Sequence, residues 1–145
     1  MEYIKIIDIL LVEDSEGDAR LAQEALKESK VRNSLHIVTD GVQAVDYLFR
    51  RNQFTDAPRP DLILLDLNLP KKDGREVLDE IKNDASLKII PVVILTMSQA
   101  EEDVLRSYKL HANCYITKPL NLEKFIQVIK SIEDFWLSIV QLPRH

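Results

Sequence analysis

A single cysteine, Cys114, stands in a chain of 145 residues, so no disulfide can form within it. One unpaired thiol fits a reducing cytoplasm better than a secreted setting. Glycine and proline are sparse, at three and six residues, and no stretch is biased in composition, which argues against disorder or a low-complexity segment. Long apolar runs are missing too: Ile6–Val12, Leu62–Leu65 and Val92–Leu95 are each far too short to span a bilayer. The opening Met1-Glu2-Tyr3-Ile4-Lys5 has no basic region, long apolar segment or small-residue cleavage site, so no secretion signal is expected. Nor is there an excess of positive charge. With 19 basic and 24 acidic residues the net charge is -5, which leaves no footprint for nucleic acid or an anionic membrane. What the chain does have, 46% hydrophobic and 30% charged residues, suits one soluble, intracellular domain over residues 1–145 with an ordinary core.

The apolar runs recur with a regular beat. Ile6–Val12, Leu35–Val38, Leu62–Leu65, Val92–Leu95 and Cys114–Ile116 are short and rich in leucine or β-branched residues. Between them lie segments of helical spacing: Ala19–Lys30, Val42–Arg51, Arg75–Asp84 and Glu101–Leu110, with a last one from Leu122 towards Val140. Strands alternating with amphipathic helices predict parallel strands joined by helical crossovers. The first, third and fourth runs lack polar alternation, as strands covered on both faces do. Leu35-His36-Ile37-Val38 is more polar and belongs at a sheet edge. Asp14-Ser15 and Asp40-Gly41 can cap the helices that follow them, and Ala57-Pro58-Arg59-Pro60 stops the second helix. Pro91 opens the fourth strand, where its missing N–H does least harm. The expected fold is therefore α/β: a doubly wound, five-stranded parallel sheet with helices on both faces. Strand order 2-1-3-4-5, the flavodoxin-like arrangement, is open to it, although periodicity does not fix the order.

Such sheets bind ligands beyond the carboxyl ends of their strands. Strand one ends in Glu13-Asp14, strand three in Asp66, strand four in Thr96, and strand five just before Lys118. Carboxylates that close in a low-dielectric crevice need a cation or raised pKa values. Hard oxygen ligands suit Mg²⁺, which accepts one or two carboxylates together with phosphate oxygens. The Glu13-Asp14 doublet could also do no more than cap the next helix. Asp66 is harder to read that way, because Leu67-Asn68-Leu69-Pro70 does not look like a capping box. A carboxylate so placed can attack a phosphoryl donor and form an acyl phosphate. Lys118 could then pair with the phosphoryl oxygens and Thr96 could hydrogen-bond one of them.

Leu11-Val12-Glu13-Asp14, Leu64-Leu65-Asp66-Leu67-Asn68-Leu69-Pro70, Ile94-Leu95-Thr96 and Tyr115-Ile116-Thr117-Lys118-Pro119 together resemble the receiver domain of two-component response regulators. The resemblance runs from about Ile6 to about Asp134. The stretch Leu69–Leu78, with Leu110-His111-Ala112-Asn113-Cys114-Tyr115 and Phe135-Trp136-Leu137, is similar to the stand-alone regulators that partner cyanobacterial and bacterial phytochrome kinases. The resemblance implies that Asp66 accepts phosphate from a sensor histidine kinase. It implies that Asp14 and Asp66 ligate Mg²⁺ directly, Glu13 directly or through water, and Asn68 through its backbone carbonyl. Lys118 would hold the phosphoryl group, Thr96 would move towards it, and Tyr115 would rotate in behind Thr96. The Lys118-Pro119 bond would be cis. Such a protein is a phosphoacceptor with self-catalysed phosphotransfer and slow autodephosphorylation rather than an ordinary enzyme.

Two residues depart from the family pattern. Met97 follows Thr96 where a small residue is usual, and would restrict access to Asp66. His111 stands where many relatives have glycine, at the end of the fourth helix, and tolerates a left-handed turn better than most residues. Blander readings hold elsewhere. Cys114 is expected to be a structural thiol, and His36, His111 and His145 have no metal-ligand spacing. Lys71-Lys72 could greet an acidic kinase surface, with a solvated loop as the default.

The final helix carries more apolar surface than a sheet face needs. Leu122, Phe125, Ile126, Val128, Ile129, Ile132, Phe135, Trp136, Ile139 and Val140 cover roughly 180°, against about 100° for one packed face. The surplus, chiefly Val128, Phe135 and Ile139, suggests a homodimer through the face of the fourth helix, fifth strand and fifth helix; a tail folded back at Leu142-Pro143 would also cover it. About 11 residues follow Asp134, too few for an output domain, so output is expected from the receiver surface. A phosphorelay shuttle, passing phosphate onward to a histidine phosphotransfer protein, is the alternative. An FMN carrier fits poorly, because Glu13-Asp14-Ser15-Glu16-Gly17-Asp18 would repel a phosphate without Mg²⁺. An aspartyl phosphatase usually has a second acid where this chain has Asn68. A pseudo-receiver is disfavoured by the complete set of site residues.

Overall fold

The computed structural model describes residues 6–28, 32–96, 100, 114–118, 123, 126, 127, 130 and 131. Five strands, β1 (Ile7–Val12), β2 (Asn33–Val38), β3 (Leu62–Asp66), β4 (Val92–Thr96) and β5 (Cys114–Thr117), form one sheet in the order β2-β1-β3-β4-β5. Every pairing is parallel, with Val12 opposite both Val38 and Leu65, Asp66 opposite Leu95 and Thr96 opposite Thr117. This is the expected doubly wound sheet, with order 2-1-3-4-5.

Alternation along the strands divides the core in two. Ile9, Leu11, Leu64, Val93 and Leu95 meet Ala22, Ala25 and Leu26 of α1 (Glu16–Lys27) on one face. Leu10, Val12, Ile63, Leu65 and Ile94 meet α2 (Gly41–Leu48) and α3 (Gly74–Lys82) on the other. β3 and β4 are buried along their whole length, while β2 is mostly half-exposed, as an edge strand should be. Glu123, Ile126, Gln127, Lys130 and Ser131 of the last helical segment are helical, and Ile126 packs on the α1 face. The Glu101–Leu110 segment, Met97, His111, Pro119, the surplus residues of the final helix and the tail lie outside the described residues. No helix among the described residues is long and apolar enough to cross a membrane.

Element ends shift for local reasons. α1 starts at Glu16, three residues before the apolar periodicity, because Ser15 caps it and its first turn is polar. α2 stops at Leu48, short of the expected Arg51, since Arg50 adopts φ 55° and leaves the helical region, and a short 3-10 turn follows at Asn52–Phe54. The Asp40 carboxylate accepts the Gln43 N–H at 2.8 Å and caps α2 as expected.

The segment after β3 is pinned from both sides. Gly74 donates its N–H to the Leu67 carbonyl at 2.9 Å, and a Cβ there would lie 2.3 Å from the Asp66 carbonyl oxygen. A Cβ on Gly41 would lie 1.9 Å from the Lys72 carbonyl oxygen. Only glycine lets α2 and α3 approach this loop so closely. Lys72 is not merely solvated: its ammonium meets Glu80 at 2.7 Å and is half-buried, whereas Lys71 is exposed and 3.6 Å from Asp40.

Candidate functional site

The strand ends converge on one rim. Glu13 follows β1, Asp66 closes β3, Thr96 closes β4, and all three are buried; Asp14 is exposed beside them. Lys118 follows β5 and is brought to the rim by its backbone N–H, which donates to the Thr96 carbonyl at 2.6 Å. Carboxylate oxygens of Glu13, Asp14 and Asp66 lie within 4.8 Å of one another. Tyr115, opposite Ile94 in the ladder, is half-buried against the α2/α3 face. The structure thus gathers Glu13, Asp14, Asp66, Thr96 and Lys118, with Asn68 two residues beyond and donating its backbone N–H to Asp66 Oδ1 at 3.0 Å.

Lys118 carries the site's electrostatics. Its ammonium lies 2.9 Å from Glu13 Oε1, 3.0 Å from Asp66 Oδ2 and 3.0 Å from Asp18 Oδ2. Burial by itself would lower its pKa, but the bonds to Glu13, Asp66 and Asp18 outweigh that and hold it above the ordinary lysine value. Glu13 moves the other way for an acid. Burial first, then its contact with Asp66, pushes it up to about 7 despite the opposing pull of Lys118. With three carboxylates on the Lys118 ammonium and Asp14 beside them, the described rim keeps an excess of negative charge.

Asp18 was not singled out from the sequence. The only signal available was its place three residues after the capping Ser15, a spacing that reads as helix capping and not as chemistry.

Two features fit a divalent cation and a phosphoryl group at this rim. The cluster Glu13, Asp14 and Asp66 offers hard oxygen donors. Thr96 Oγ1 is buried with no hydrogen-bond partner among the described residues, a costly state unless an acceptor arrives. His36 lies away from this rim: it pairs with Asp8 at 3.1 Å, near the opposite end of β1.

Comparison with known proteins decides the family. Residues 9–130 match the response regulator receiver domain. The chain belongs to that receiver family. It is 56% identical over 135 residues to response regulator Rcp1 of Synechocystis sp., a match covering 93% of this chain and 92% of that protein. The Mn²⁺-bound crystal structure of Rcp1 superposes with a TM-score of 0.79 at 55% identity, covering 94% of this chain and 99% of the other. The phosphorylated cyanobacterial phytochrome response regulator RcpA superposes with a TM-score of 0.81 at 55% identity, covering 96% and 99%. As a member of the receiver family, the chain is a two-component signalling protein and not a conventional enzyme.

Proposed function

We propose that this receiver accepts a phosphoryl group on Asp66 from a sensor histidine kinase, with Mg²⁺ as its metal, and signals through its own surface. The observation that carries the reading is the Lys118 ammonium 3.0 Å from the Asp66 carboxylate, on a rim that also holds the unpartnered Thr96 hydroxyl. In the transfer, a carboxylate oxygen of Asp66 attacks the phosphorus of a phosphohistidine. The P–N bond breaks, the imidazole leaves with its electron pair and takes up a proton, and an acyl phosphate remains. Lys118 meets one phosphoryl oxygen and Thr96 another. Asp14 and Asp66 would hold Mg²⁺ directly, Glu13 directly or through water, and Asn68 through its backbone carbonyl. Bound there, the metal offsets charge on the phosphoryl oxygens.

The acyl phosphate adds about -1.5 to -2 charge to an acidic rim. Thr96 moves towards it and Tyr115 turns in behind, which carries the signal to the surface beyond β4 and β5. Slow self-catalysed hydrolysis resets the protein. The kinase is phytochrome-like, a reading supported by the 55% identity to a phytochrome response regulator. The receiver itself works in the cytoplasm and as a homodimer through the fourth helical segment, β5 and the final helix. The surplus apolar residues Val128, Phe135 and Ile139 support that interface. If Phe135→Lys and the wild type elute as the same monomer, the interface is wrong.

Intact-mass analysis after incubation with acetyl phosphate tests the acceptor. A gain of one phosphoryl group that needs Mg²⁺ and disappears in Asp66→Asn is expected. No labelling by acetyl phosphate or by a phosphorylated kinase would sink the reading.

A further inference from the structure

Asp18 belongs to α1, yet among the described residues its carboxylate pairs with Lys118 and not with the helix's own backbone. With Ser15 as the N-cap, Asp18 occupies the third helical position, from which an acidic side chain commonly reaches back to the capping residue's N–H. Here that N–H is already taken, because Ser15 donates it to Glu13 Oε2 at 3.2 Å. The backbone N–H of Asp18 is held by Ser15 Oγ at 3.3 Å. The residue is thus fixed at its backbone while its carboxylate goes to the Lys118 ammonium, 3.0 Å away.

The three carboxylates around Lys118 differ in depth and in duty. Glu13 and Asp66 are buried, whereas the Asp18 side chain is 28% exposed and nearer to solvent. Glu13 and Asp66 belong to the cluster that can hold a divalent cation, and Asp18 does not. An incoming cation therefore competes with the ammonium for the two inner carboxylates and repels it at short range. We infer that Asp18 is a positioning residue that receives the Lys118 ammonium when a divalent cation takes over Glu13 and Asp66, so that metal loading neither expels the lysine nor leaves it in the metal's place. Without Asp18 the ammonium has only the inner pair and competes harder. This rests on the metal-binding reading above.

Calorimetric titration with Mg²⁺ tests it, using the wild type, Asp18→Asn, Lys118→Met and the double variant. With Lys118 present, Asp18→Asn weakens binding about three- to tenfold; in the Lys118→Met background it weakens binding by less than about twofold. Asp18→Glu recovers most of the loss. Equal weakening in both backgrounds would reduce Asp18 to a distant charge and overturn the inference, as would unchanged or tighter binding. A wild type that binds no Mg²⁺ would instead overturn the metal reading itself. A second readout needs no variant. The Lys118 side-chain ammonium signal in ¹⁵N-edited NMR stays protected from exchange as Mg²⁺ is added, and its loss on metal addition would count against Asp18 as the receiving group.

Discussion

At the carboxyl ends of the strands, Lys118 faces three carboxylates, Glu13, Asp18 and Asp66, whereas near the other end of the sheet His36 faces one, Asp8, with the Ser34 hydroxyl beside it. The N···O distances are alike, 2.9–3.0 Å for the lysine and 3.1 Å for the histidine. Their settings are not. Lys118 is 11% exposed among carboxylates that outnumber it, while His36 and Asp8 are each 30% exposed and matched one to one. Distance alone therefore does not separate an ion pair that holds a fold from one that awaits a ligand. Stoichiometry and burial do: a half-buried pair matched one to one is a strut of small worth, and a buried excess of carboxylates is a standing demand for positive charge.

The largest effect is expected from removing the Lys118 ammonium. Lys118→Met leaves Glu13 and Asp66 buried without a counter-charge and should destabilise the metal-free protein by about 3 kcal/mol in urea unfolding. Saturating Mg²⁺ should recover most of that, because a second cation can fill the same demand. Failure of Mg²⁺ to narrow the gap would mean that the rim is a fixed ion-pair network like any other. Gly74→Ala should cost about 2 kcal/mol with or without metal, since its Cβ would press on the Asp66 and Leu67 backbone. The contrast between a metal-sensitive and a metal-insensitive loss separates charge from shape at the same rim.

Much of this arrangement was legible from residue patterns. Apolar runs located all five strands, and the rule that ligands sit at their carboxyl ends collected Glu13, Asp14, Asp66, Thr96 and Lys118 from distant segments. Strand order is a matter of which runs pair, to which periodicity is blind, and it became firm only through the ladder itself. Asp18 was hidden because an acid in a first helical turn is what any capped helix carries. Its role depends on a competing bond from Ser15 to Glu13 that spacing cannot show. The tight approach at Gly41 and Gly74 was equally invisible, since it depends on backbone atoms of Lys72, Asp66 and Leu67 far from ordinary turn chemistry. Polar first turns also moved the start of α1 ahead of its apolar pattern.

A pH titration probes the rim from the proton side. Glu13 rises from its ordinary 4.5 to about 7 in the folded, metal-free protein, chiefly through burial. Between those values the folded chain holds a proton that the unfolded chain has released. The contribution of Glu13 to stability is thus complete below about 4.5 and is lost as pH rises through 7. In EDTA, Tm should fall on the order of 3–6 °C between pH 5 and pH 7.5, and Glu13→Gln should flatten that slope. With Mg²⁺ the slope should reverse, because metal and proton compete for the same carboxylates. A wild type and a Glu13→Gln variant with parallel slopes would show that the rim's excess charge is already satisfied.

The smallest effect belongs to the other end of the sheet. His36→Phe keeps a ring beside Tyr47, where the His36 and Tyr47 centroids are 5.9 Å apart, and removes the contacts with Asp8 and the Ser34 hydroxyl. A half-buried one-to-one contact, ionic only while the imidazole is protonated, should be worth less than about 1 kcal/mol in urea unfolding at pH 7. Asp8 also anchors the backbone of β1 to the start of β3 through the Asp61 N–H, 2.7 Å from its carbonyl oxygen, and the substitution leaves that bond alone. Affinity for Mg²⁺ should be unchanged in calorimetry, because His36 touches none of the rim carboxylates. A several-fold loss of metal affinity in His36→Phe would break the comparison: the two ends of the sheet would be energetically coupled through β1, and the strut would be part of the device.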